Sequence, residues 1–360
     1  MKIVIRAGGT GTRLWPMSRI SNPKQFQKVI GEESMIKTTY KRVLPALKER
    51  DDLYVSVNKD FVKKTLRELP GLKKDNLIIE TDTRNTGPAM CLEVCFLERR
   101  CQKEDIVASL PSDDYISDDV AFRRLLSVSE EFLKENPEYI LTPAIRPDYP
   151  DTGYSYFKAG SKLCENGEET IYTVAKVVEK PNQDYCQEII DSGVYYCHTG
   201  MYIWQLKNIV SLFRKKRPKM YKICQMVAAL IAEKNDLAAA QELYGKLEKM
   251  TIESAITQKC DHIAMSVSNK IGWSDLGKWH IIKRIVGNGG NLTKGEVISI
   301  DSENNLVYST NKKKIVAVND VKNLVIVDTK DALFISSLEN SHEAKKVVEH
   351  LKAKNKNEYL

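Results

Sequence analysis

Apolar positions in the first third of the chain form short continuous runs that alternate with amphipathic segments. The runs at residues 3–5, 53–57, 77–80 and 105–110 predict strands, and the segments at 34–50 and 88–103 predict helices. Strands that are apolar along their whole length and alternate with helices are typical of a mostly parallel, helix-covered sheet. The pattern predicts a Rossmann-like α/β fold, in which ligands bind at the carboxyl ends of the strands.

Further along, the pattern becomes richer in strands and then changes character. Strands are predicted at residues 154–159, 171–178 and 195–204, before a long helical region at 206–250. Gly287-Asn288-Gly289-Gly290-Asn291 then forms a turn-rich break. Short alternating strands follow it, at 296–300, 305–309, 315–318 and 324–328, and a charged helix begins near Ser341. We therefore expect a larger domain over residues 1–285 and a small β-rich domain over 286–360.

Composition and charge narrow the class of protein. The 360 residues are 42% hydrophobic and 29% charged, as in an ordinary globular enzyme, and the net charge is +7. No apolar run approaches the roughly 20 residues that a membrane helix needs, and nothing resembles a signal peptide or a nucleic-acid module. The eight cysteines include no C-x-x-C pair, which favours reduced, buried thiols over a metal site. We expect a cytoplasmic protein with an anionic substrate and no membrane or nucleic-acid partner.

The first predicted strand leads into the glycine-rich turn Gly8-Gly9-Thr10-Gly11-Thr12, with Arg13 and Lys24 close behind. Glycines let backbone N–H groups approach a phosphate closely, and the two cations add charge beside the turn. A P-loop is excluded because no Gly-Lys-Ser/Thr follows at the required spacing. A dinucleotide fingerprint is excluded because Leu14 occupies its third glycine position. The turn predicts a different kind of polyphosphate site, although such turns can also be purely structural.

The segment from Gly8 to Pro16, with Pro23-Lys24-Gln25-Phe26, resembles the signature of sugar-phosphate nucleotidyltransferases. Trp15 and Phe26 are similar to the mannose-1-phosphate guanylyltransferase branch of that family. The resemblance recurs in separated motifs to about residue 340. It implies transfer of GMP from GTP to mannose 1-phosphate, giving GDP-mannose and pyrophosphate. It also implies a β-helix-like C-terminal domain, which relatives often use for dimerisation, so we expect a homodimer.

Two acidic motifs match the metal-binding motifs of this family. Pro111-Ser112-Asp113-Asp114 resembles Pro-Ser-Asp-His, and Gly272-Trp273-Ser274-Asp275 resembles Gly-Trp-Ser-Asp. The resemblance implies that Asp113 and Asp275 bind Mg²⁺, with Ser112 beside them at the substrate. Asp114 departs from the family histidine. The alternatives are that Asp113 and Ser112 cap the next helix and that Asp275 is a turn residue.

Two further motifs resemble substrate-binding segments of the family. Val178-Glu179-Lys180-Pro181 implies that Glu179 bonds sugar hydroxyls and that Lys180 holds the sugar phosphate, unless the two form only a surface ion pair. Thr83-Arg84-Asn85-Thr86-Gly87-Pro88-Ala89 implies that Arg84 and Asn85 lie near the nucleobase and ribose. Asn85 could also be a helix N-cap, and both interpretations can hold together.

Four positions bear on the choice of sugar. His198 stands where relatives have an asparagine that touches the sugar, and Ser155 stands where they have a glycine. Gly153 still lets the backbone approach the sugar, and Glu253, in a segment resembling Ser-Ile-Asp-Tyr, could support the sugar end. These departures leave open another sugar 1-phosphate, such as a heptose.

The mechanism implied by the resemblance needs no protein nucleophile, because the attacking sugar phosphate is already an anion. Arg13 and residues 8–12 would hold the β- and γ-phosphates, Lys24 would stabilise charge near the α-phosphorus, and Lys180 would align the attacking phosphate. A non-catalytic regulator that binds nucleotide sugars is the alternative from another class. It has no need for Arg13, Lys24 and both predicted metal ligands together.

Overall fold

The structure, a computed structural model, describes residues 1–9, 11–287 and 289–360. The chain forms two compact units. The first unit consists of Met1–Gly8, Thr39–Ser112 and Ile116–Trp273, and the second of Gly9–Thr38, Asp113–Tyr115 and Ser274–Leu360. The segment after the first strand therefore belongs to the same unit as the C-terminal residues. The predicted division at residues 285 and 286 stays a prediction.

Within the described residues, the strands follow the predicted pattern closely in the first third of the chain. They are β1 (Lys2–Ala7), β2 (Leu53–Asn58), β3 (Leu77–Glu80), β4 (Ile106–Pro111), β5 (Asp114–Tyr115), β6 (Ile140–Ile145), β7 (Ser155–Asn166), β8 (Glu169–Glu179), β9 (Tyr195–His198), β10 (Tyr202–Gln205), β11 (Ile263–Val267), β12 (Ser274–Asp275), β13 (Leu292–Lys294), β14 (Val297–Ile300), β15 (Leu306–Ser309), β16 (Val316–Asn319), β17 (Leu324–Asp328) and β18 (Leu333–Ser337).

The helices lie mostly between the strands of the first unit. They are α1 (Met35–Val43), α2 (Val62–Glu68), α3 (Thr86–Glu98), α4 (Asp119–Glu135), α5 (Gln183–Ser192), α6 (Leu206–Lys216), α7 (Pro218–Ala229), α8 (Leu237–Gly245), α9 (Ile252–Ala255), α10 (Trp279–Val286) and α11 (Ala344–Ala353). None of the helices that the structure describes is long and apolar enough to cross a membrane.

The first unit is built on a ten-stranded sheet with the order β11-β8-β7-β9-β6-β10-β4-β1-β2-β3. Strands β3, β2, β1 and β4 are parallel, as predicted, and the strand-rich middle of the chain adds antiparallel neighbours from β10 onward. Because β1, β3 and β4 run in one direction, Gly8, Glu80 and Ser112 lie at or just beyond the same edge of the sheet. The α/β class is confirmed, and this edge carries two of the predicted site residues, Gly8 and Ser112.

Local chemistry explains where the predicted elements were too long. Helix α1 stops at Val43 because Pro45 follows in a short 3₁₀ turn and cannot continue an α-helix. The run at residues 195–204 is two strands, separated at Gly200, whose φ of 73° lies in the left-handed region. The helical region at 206–250 breaks where Pro218 begins α7 and again at a π-helical turn over Leu230–Lys234.

The second unit has a core of its own. Parallel strands β13, β15 and β17 form one small sheet, closed by the antiparallel β18, and β14 pairs with β16 in another. Apolar side chains of these strands pack with helices α10 and α11 and with the segment that follows the glycine turn. Buried members of that core include Leu14, Trp15, Met17, Trp279, Leu306, Val325, Val327, Phe334 and Val348.

Candidate functional site

A buried lysine joins the two predicted metal ligands in the second unit. Lys24 is 3% exposed, and its Nζ lies 2.9 Å from Oδ2 of Asp113 and 3.1 Å from Oδ1 of Asp275. Strand pairing explains the convergence, because β5 and β12 place Asp275 directly opposite Asp114. The structure therefore brings together three motifs that are far apart in the sequence.

Charge complementarity sets the protonation of this cluster. Burial alone would lower the pKa of Lys24, but the carboxylates of Asp113 and Asp275 raise it well above the ordinary lysine value. Burial would raise the pKa of Asp275, yet Lys24, Arg13 and Lys278 together hold that pKa below its usual value. At neutral pH the cluster therefore contains a charged ammonium and a charged Asp275 carboxylate.

Two glycines leave the space that this cluster needs. Gly11 has a φ of 59°, and a Cβ on it would collide with the Cβ of Lys24. A Cβ on Gly277 would lie 2.8 Å from both carboxylate oxygens of Asp275. Any side chain at either position would displace a charged member of the cluster. Space therefore requires glycine at both positions, and the positive φ of Gly11 favours glycine there as well.

Two described residues of this region, Gly9 and Arg13, are open to solvent. Gly9 is exposed, with a φ of 90°, and Arg13 is exposed in the 3₁₀ turn Thr12–Leu14. Arg13 is close enough to Asp275 to lower its pKa. Thr10 was also predicted to contact phosphate, but it lies outside the described residues. An exposed cation beside a glycine turn leaves room for an anionic ligand.

The donor set of the cluster fits a hard divalent cation. Asp113 and Asp275 offer carboxylate oxygens, and no group of three or more potential His, Cys, Asp or Glu ligands occurs among the described residues. Mg²⁺ commonly binds one or two protein carboxylates and takes its other ligands from water and substrate phosphates. Two carboxylates beside a phosphate turn suit such an ion. Lys24 contacts both of them, so a bound cation would compete with its ammonium group.

In the first unit, the structure brings His198 and Glu253 to one buried network. The hydroxyl of Tyr202 donates to Oε1 of Glu253 over 2.5 Å, and the edge of the Tyr202 ring faces His198, with centroids 5.1 Å apart. His198 is 8% exposed and stacks on Phe157 with ring centroids 4.7 Å apart. Burial lowers the pKa of His198 to about 4, so the imidazole is neutral at pH 7. Its Nε2 has no hydrogen-bond partner among the described residues.

Glu179 ends β8, Lys180 follows it directly, and both are exposed. Their charged groups lie 3.6 Å apart, and Glu179 also accepts a hydrogen bond from Gln258 over 3.3 Å. Lys180 has a φ of 44°, which is unusual for a residue with a side chain, and its N–H donates to the carbonyl of Tyr154. That contact joins Lys180 to the loop of Gly153. Two segments predicted to bind the sugar are thus neighbours.

The residues predicted to bind the nucleotide differ in their burial and in their hydrogen-bond partners. Asn85 has a φ of 68° and caps α3 by accepting from the N–H of Thr86, so its capping role is real. Arg84 is held by Asp82, 2.7 Å away, and by the carbonyl of Leu247. Ser112 is fully buried, and its Oγ has no hydrogen-bond partner among the described residues. Buried hydroxyls without a partner are uncommon, and this one lies beside the carboxyl end of β4.

One residue at this sheet edge was missed by the sequence analysis. Glu80 ends β3, is 8% exposed, and accepts a hydrogen bond from the hydroxyl of Ser56 over 3.1 Å. A Cβ on Gly8 would lie 3.5 Å from its Oε1, so the carboxyl group lies against the start of the glycine turn. Burial, with Glu93 nearby, raises the pKa of Glu80 to about 7. The available signal was a single acidic residue at the end of an otherwise apolar strand.

Two protein families together match nearly the whole chain. The family described as nucleotidyl transferase matches residues 2–288. The family described as MannoseP isomerase/GMP-like beta-helix domain matches residues 295–351. The second match agrees with the small parallel sheets of the C-terminal region.

Individual proteins similar to this chain have descriptions that agree with the family matches. A protein of Klebsiella pneumoniae described as mannose-1-phosphate guanylyltransferase is 33% identical over 99% of this chain and 75% of its own length. A protein of Escherichia coli K12 with the same description is 32% identical over 99% of this chain and 74% of its own length. A Thermus thermophilus structure described as a mannose-1-phosphate geranyltransferase superposes with a TM-score of 0.84, at 25% identity, over 98% of this chain and 99% of its own.

Proposed function

We propose that this chain transfers GMP from GTP to mannose 1-phosphate, because it belongs to the nucleotidyl transferase family and has mannose-1-phosphate guanylyltransferases as relatives. The products are GDP-mannose and pyrophosphate. The observation that most directly supports this mechanism is the contact of buried Lys24 with both Asp113 and Asp275. A cation and two carboxylates assembled from distant motifs suit a reaction in which phosphate charge must be held and neutralised.

The reaction balances without a covalent intermediate on the protein. An oxygen of the sugar phosphate attacks the α-phosphorus of GTP in line, a new P–O bond forms, and the bond between the α-phosphorus and the bridging oxygen breaks. Pyrophosphate leaves with that electron pair. Arg13 and the turn at residues 8–12 hold the β- and γ-phosphates, and Lys24 stabilises charge at the α-phosphorus. The chain contributes position and charge.

Nucleotidyl transferases typically use a divalent metal ion, and we propose Mg²⁺ for this chain, held by Asp113 and Asp275. The ion would supply positive charge to the reacting phosphates. The fit rests on the two converging carboxylates and on the low pKa of Asp275, which keeps it ionised. A cation bound by these carboxylates would compete with Lys24 for them. The Lys24 ammonium would then be able to contact phosphate oxygens.

Residues of the first unit are proposed to bind the sugar phosphate. Lys180 would hold the phosphate, Glu179 would accept hydrogen bonds from sugar hydroxyls, and Gly153 would let the backbone approach the ring. His198 and Glu253 are proposed to line the buried side of the sugar site. His198 suits this role because it is neutral and its Nε2 has no hydrogen-bond partner among the described residues. Ser112, Arg84 and Asn85 are proposed to bind the nucleotide.

Changing His198 to Asn is expected to alter the choice of sugar. A neutral imidazole offers one donor and one acceptor, whereas an amide offers two donors and an acceptor oxygen. Polar sites discriminate strongly between sugars that differ by one hydroxyl. We expect the ratio of kcat/KM between mannose 1-phosphate and competing sugar 1-phosphates to change by about tenfold or more. His262, which is exposed, provides the control His262→Asn. A uniform change for every sugar would leave His198 with a packing role.

We also propose that Glu80 recognises the guanine base. Guanine presents adjacent N1–H and N2–H₂ donors, and a carboxylate can accept both, whereas adenine has no such pair. The location against Gly8 and the burial of Glu80 support this role. The ionised form is the one that pairs with guanine, and the pKa of about 7 puts its ionisation in the physiological range.

Changing Glu80 to Gln is expected to lower kcat/KM for GTP by about tenfold to a hundredfold, because one acceptor oxygen becomes a donor facing guanine. The hydrogen bond from Ser56 can be kept by the remaining oxygen. In the unchanged protein, the KM for GTP is expected to fall as the pH rises through about 7, and the variant should lose that dependence. The exposed Glu104→Gln serves as a control. Unaltered GTP kinetics in Glu80→Gln would contradict the assignment.

The homodimer and the cytoplasmic location remain proposals. Ile298, Ile300 and Ile315 are 49%, 53% and 63% exposed. The two-residue period of strands puts Ile298 and Ile300 on one face of β14, and Ile315 directly precedes β16, the strand that pairs with β14. Such an exposed apolar face supports association. Sedimentation velocity on the full chain, with Ile298→Asp as the comparison, tests it.

The function itself is tested by pyrophosphate release. The protein is incubated with each of the four nucleoside triphosphates and with a panel of sugar 1-phosphates. We expect the highest rate with GTP and mannose 1-phosphate. A higher rate with a heptose 1-phosphate would favour the other sugar substrate. Binding of nucleotide sugars without pyrophosphate release from any pair would favour the regulator.

A further inference from the structure

The segment Thr12 to Lys28, here called the signature segment, carries Arg13 and Lys24 and is packed into the C-terminal half of its own unit. Leu14, Trp15 and Met17 lie in the same apolar core as strands β15, β17 and β18 and helix α11. The ring of Trp15 meets Phe334 edge-on, with ring centroids 6.1 Å apart. The core residues on the two sides are separated by most of the chain. Packing of the signature segment therefore depends on the C-terminal domain.

Polar contacts fix the first half of the signature segment at two places. The indole N–H of Trp15 donates to the carbonyl of Tyr359 over 2.9 Å, and the indole of Trp279 donates to the carbonyl of Trp15 over 3.2 Å. The guanidinium of Arg19 forms two hydrogen bonds with Asp331, at 2.6 and 3.0 Å, and its Nε donates to the carbonyl of Pro16. This two-point pairing fixes orientation as well as distance.

A third contact lies after Lys24. The hydroxyl of Tyr308 donates to the carbonyl of Lys28 over 2.6 Å, and Nζ of Lys294 donates to the same carbonyl over 3.0 Å. Arg13 is two residues before Trp15, and Lys24 lies between Arg19 and Lys28. These contacts thus fix the chain on both sides of Lys24, at Arg19 and Lys28, and two residues after Arg13, at Trp15.

We propose that the C-terminal domain positions the two phosphate-binding cations, with Asp331 and Tyr308 as positioning residues that act through Arg19 and Lys28. The inference rests on the proposed nucleotidyl transfer. Reacting groups must be held within a fraction of an ångström, and a misplacement of about 1 Å can cost a hundredfold in rate. The C-terminal domain is in this view a part of the catalytic apparatus.

Two conservative variants test the proposal on the full-length chain. Asp331→Asn removes the charge that Arg19 contacts, and Tyr308→Phe removes only the hydroxyl. We expect each to raise the KM for GTP and lower kcat by about threefold to tenfold, with the KM for mannose 1-phosphate unchanged. Asp331→Asn should lower the melting temperature only slightly, because Asp331 is 47% exposed and asparagine keeps an oxygen that can accept from Arg19. Arg19→Ala with Asp331→Asn should be no worse than Arg19→Ala alone.

The control is Glu303→Gln, which removes an exposed ion pair with Lys322 in the same domain. It should leave all kinetic constants unchanged. Normal GTP kinetics in both Asp331→Asn and Tyr308→Phe would overturn the proposal. A parallel change in melting temperature and in every kinetic constant would also overturn it, in favour of a purely structural role. If the proposed function itself is wrong, the protein without any substitution will release no pyrophosphate.

Discussion

Replacing Lys24 by Met is expected to lower kcat by about a hundredfold to a thousandfold, the usual cost of removing a group aimed at developing charge. Methionine keeps much of the aliphatic stem and removes the ammonium that contacts Asp113 and Asp275. We also expect the nucleotide-free variant to bind Mg²⁺ more tightly, because the competing cation is gone. Steady-state kinetics and calorimetric titration of Mg²⁺ measure the two effects separately.

The matched control is Lys28→Met. Lys28 is exposed in the same segment, and only its carbonyl takes part in the contacts described above. Removing the Lys24 ammonium takes away the largest favourable charge acting on Asp275, so the fold is checked by thermal melting. The double variant Lys24→Met/Asp275→Asn, which also removes the carboxylate charge, shows whether any loss of stability comes from the pair. A well-folded Lys24→Met with near-normal kcat at saturating substrate would disprove the role of Lys24.

Changing Asp275 to Asn is expected to raise the Mg²⁺ concentration needed for half-maximal activity by at least about tenfold. The carboxylate supplies a charged ligand oxygen, and an amide is a weaker ligand for this hard cation. Asp113→Asn should behave in the same way, because both side chains meet at Lys24. Mn²⁺ binding to the nucleotide-free protein, followed by electron paramagnetic resonance, gives a readout that is independent of turnover.

Asp320→Asn is the control for these carboxylates. Asp320 is exposed in the same unit, and its φ of 50° suits asparagine equally well. Its Mg²⁺ dependence should equal that of the unchanged protein. If neither Asp113→Asn nor Asp275→Asn changes the Mg²⁺ titration or Mn²⁺ binding, the metal assignment is wrong.

The sequence predicted the parts of the fold and site that depend on local pattern. Apolar runs located β1 to β4, and the resemblance picked out Asp113 and Asp275, whose side chains do converge on Lys24. Glycine turns were recognised because few residues other than glycine adopt a φ such as the 59° of Gly11. The roles assigned to these residues remain predictions.

Long-range packing could not be predicted in the same way. The burial of Trp15 against Phe334 and its bond to the carbonyl of Tyr359 depend on tertiary contacts that leave no periodic signal. Glu80 was missed for a related reason, since one acidic residue at a strand end reveals neither its burial nor its nearness to Gly8. Its raised pKa is a property of the assembled sheet edge.

The most direct test of the central proposal is ³¹P nuclear magnetic resonance of the protein with GTP, mannose 1-phosphate and Mg²⁺. We expect the signals of both substrates to decrease together and GDP-mannose and pyrophosphate to appear in equal amounts. Release of inorganic phosphate with mannose 1-phosphate unconsumed, or no change in any signal, would contradict guanylyl transfer by this chain.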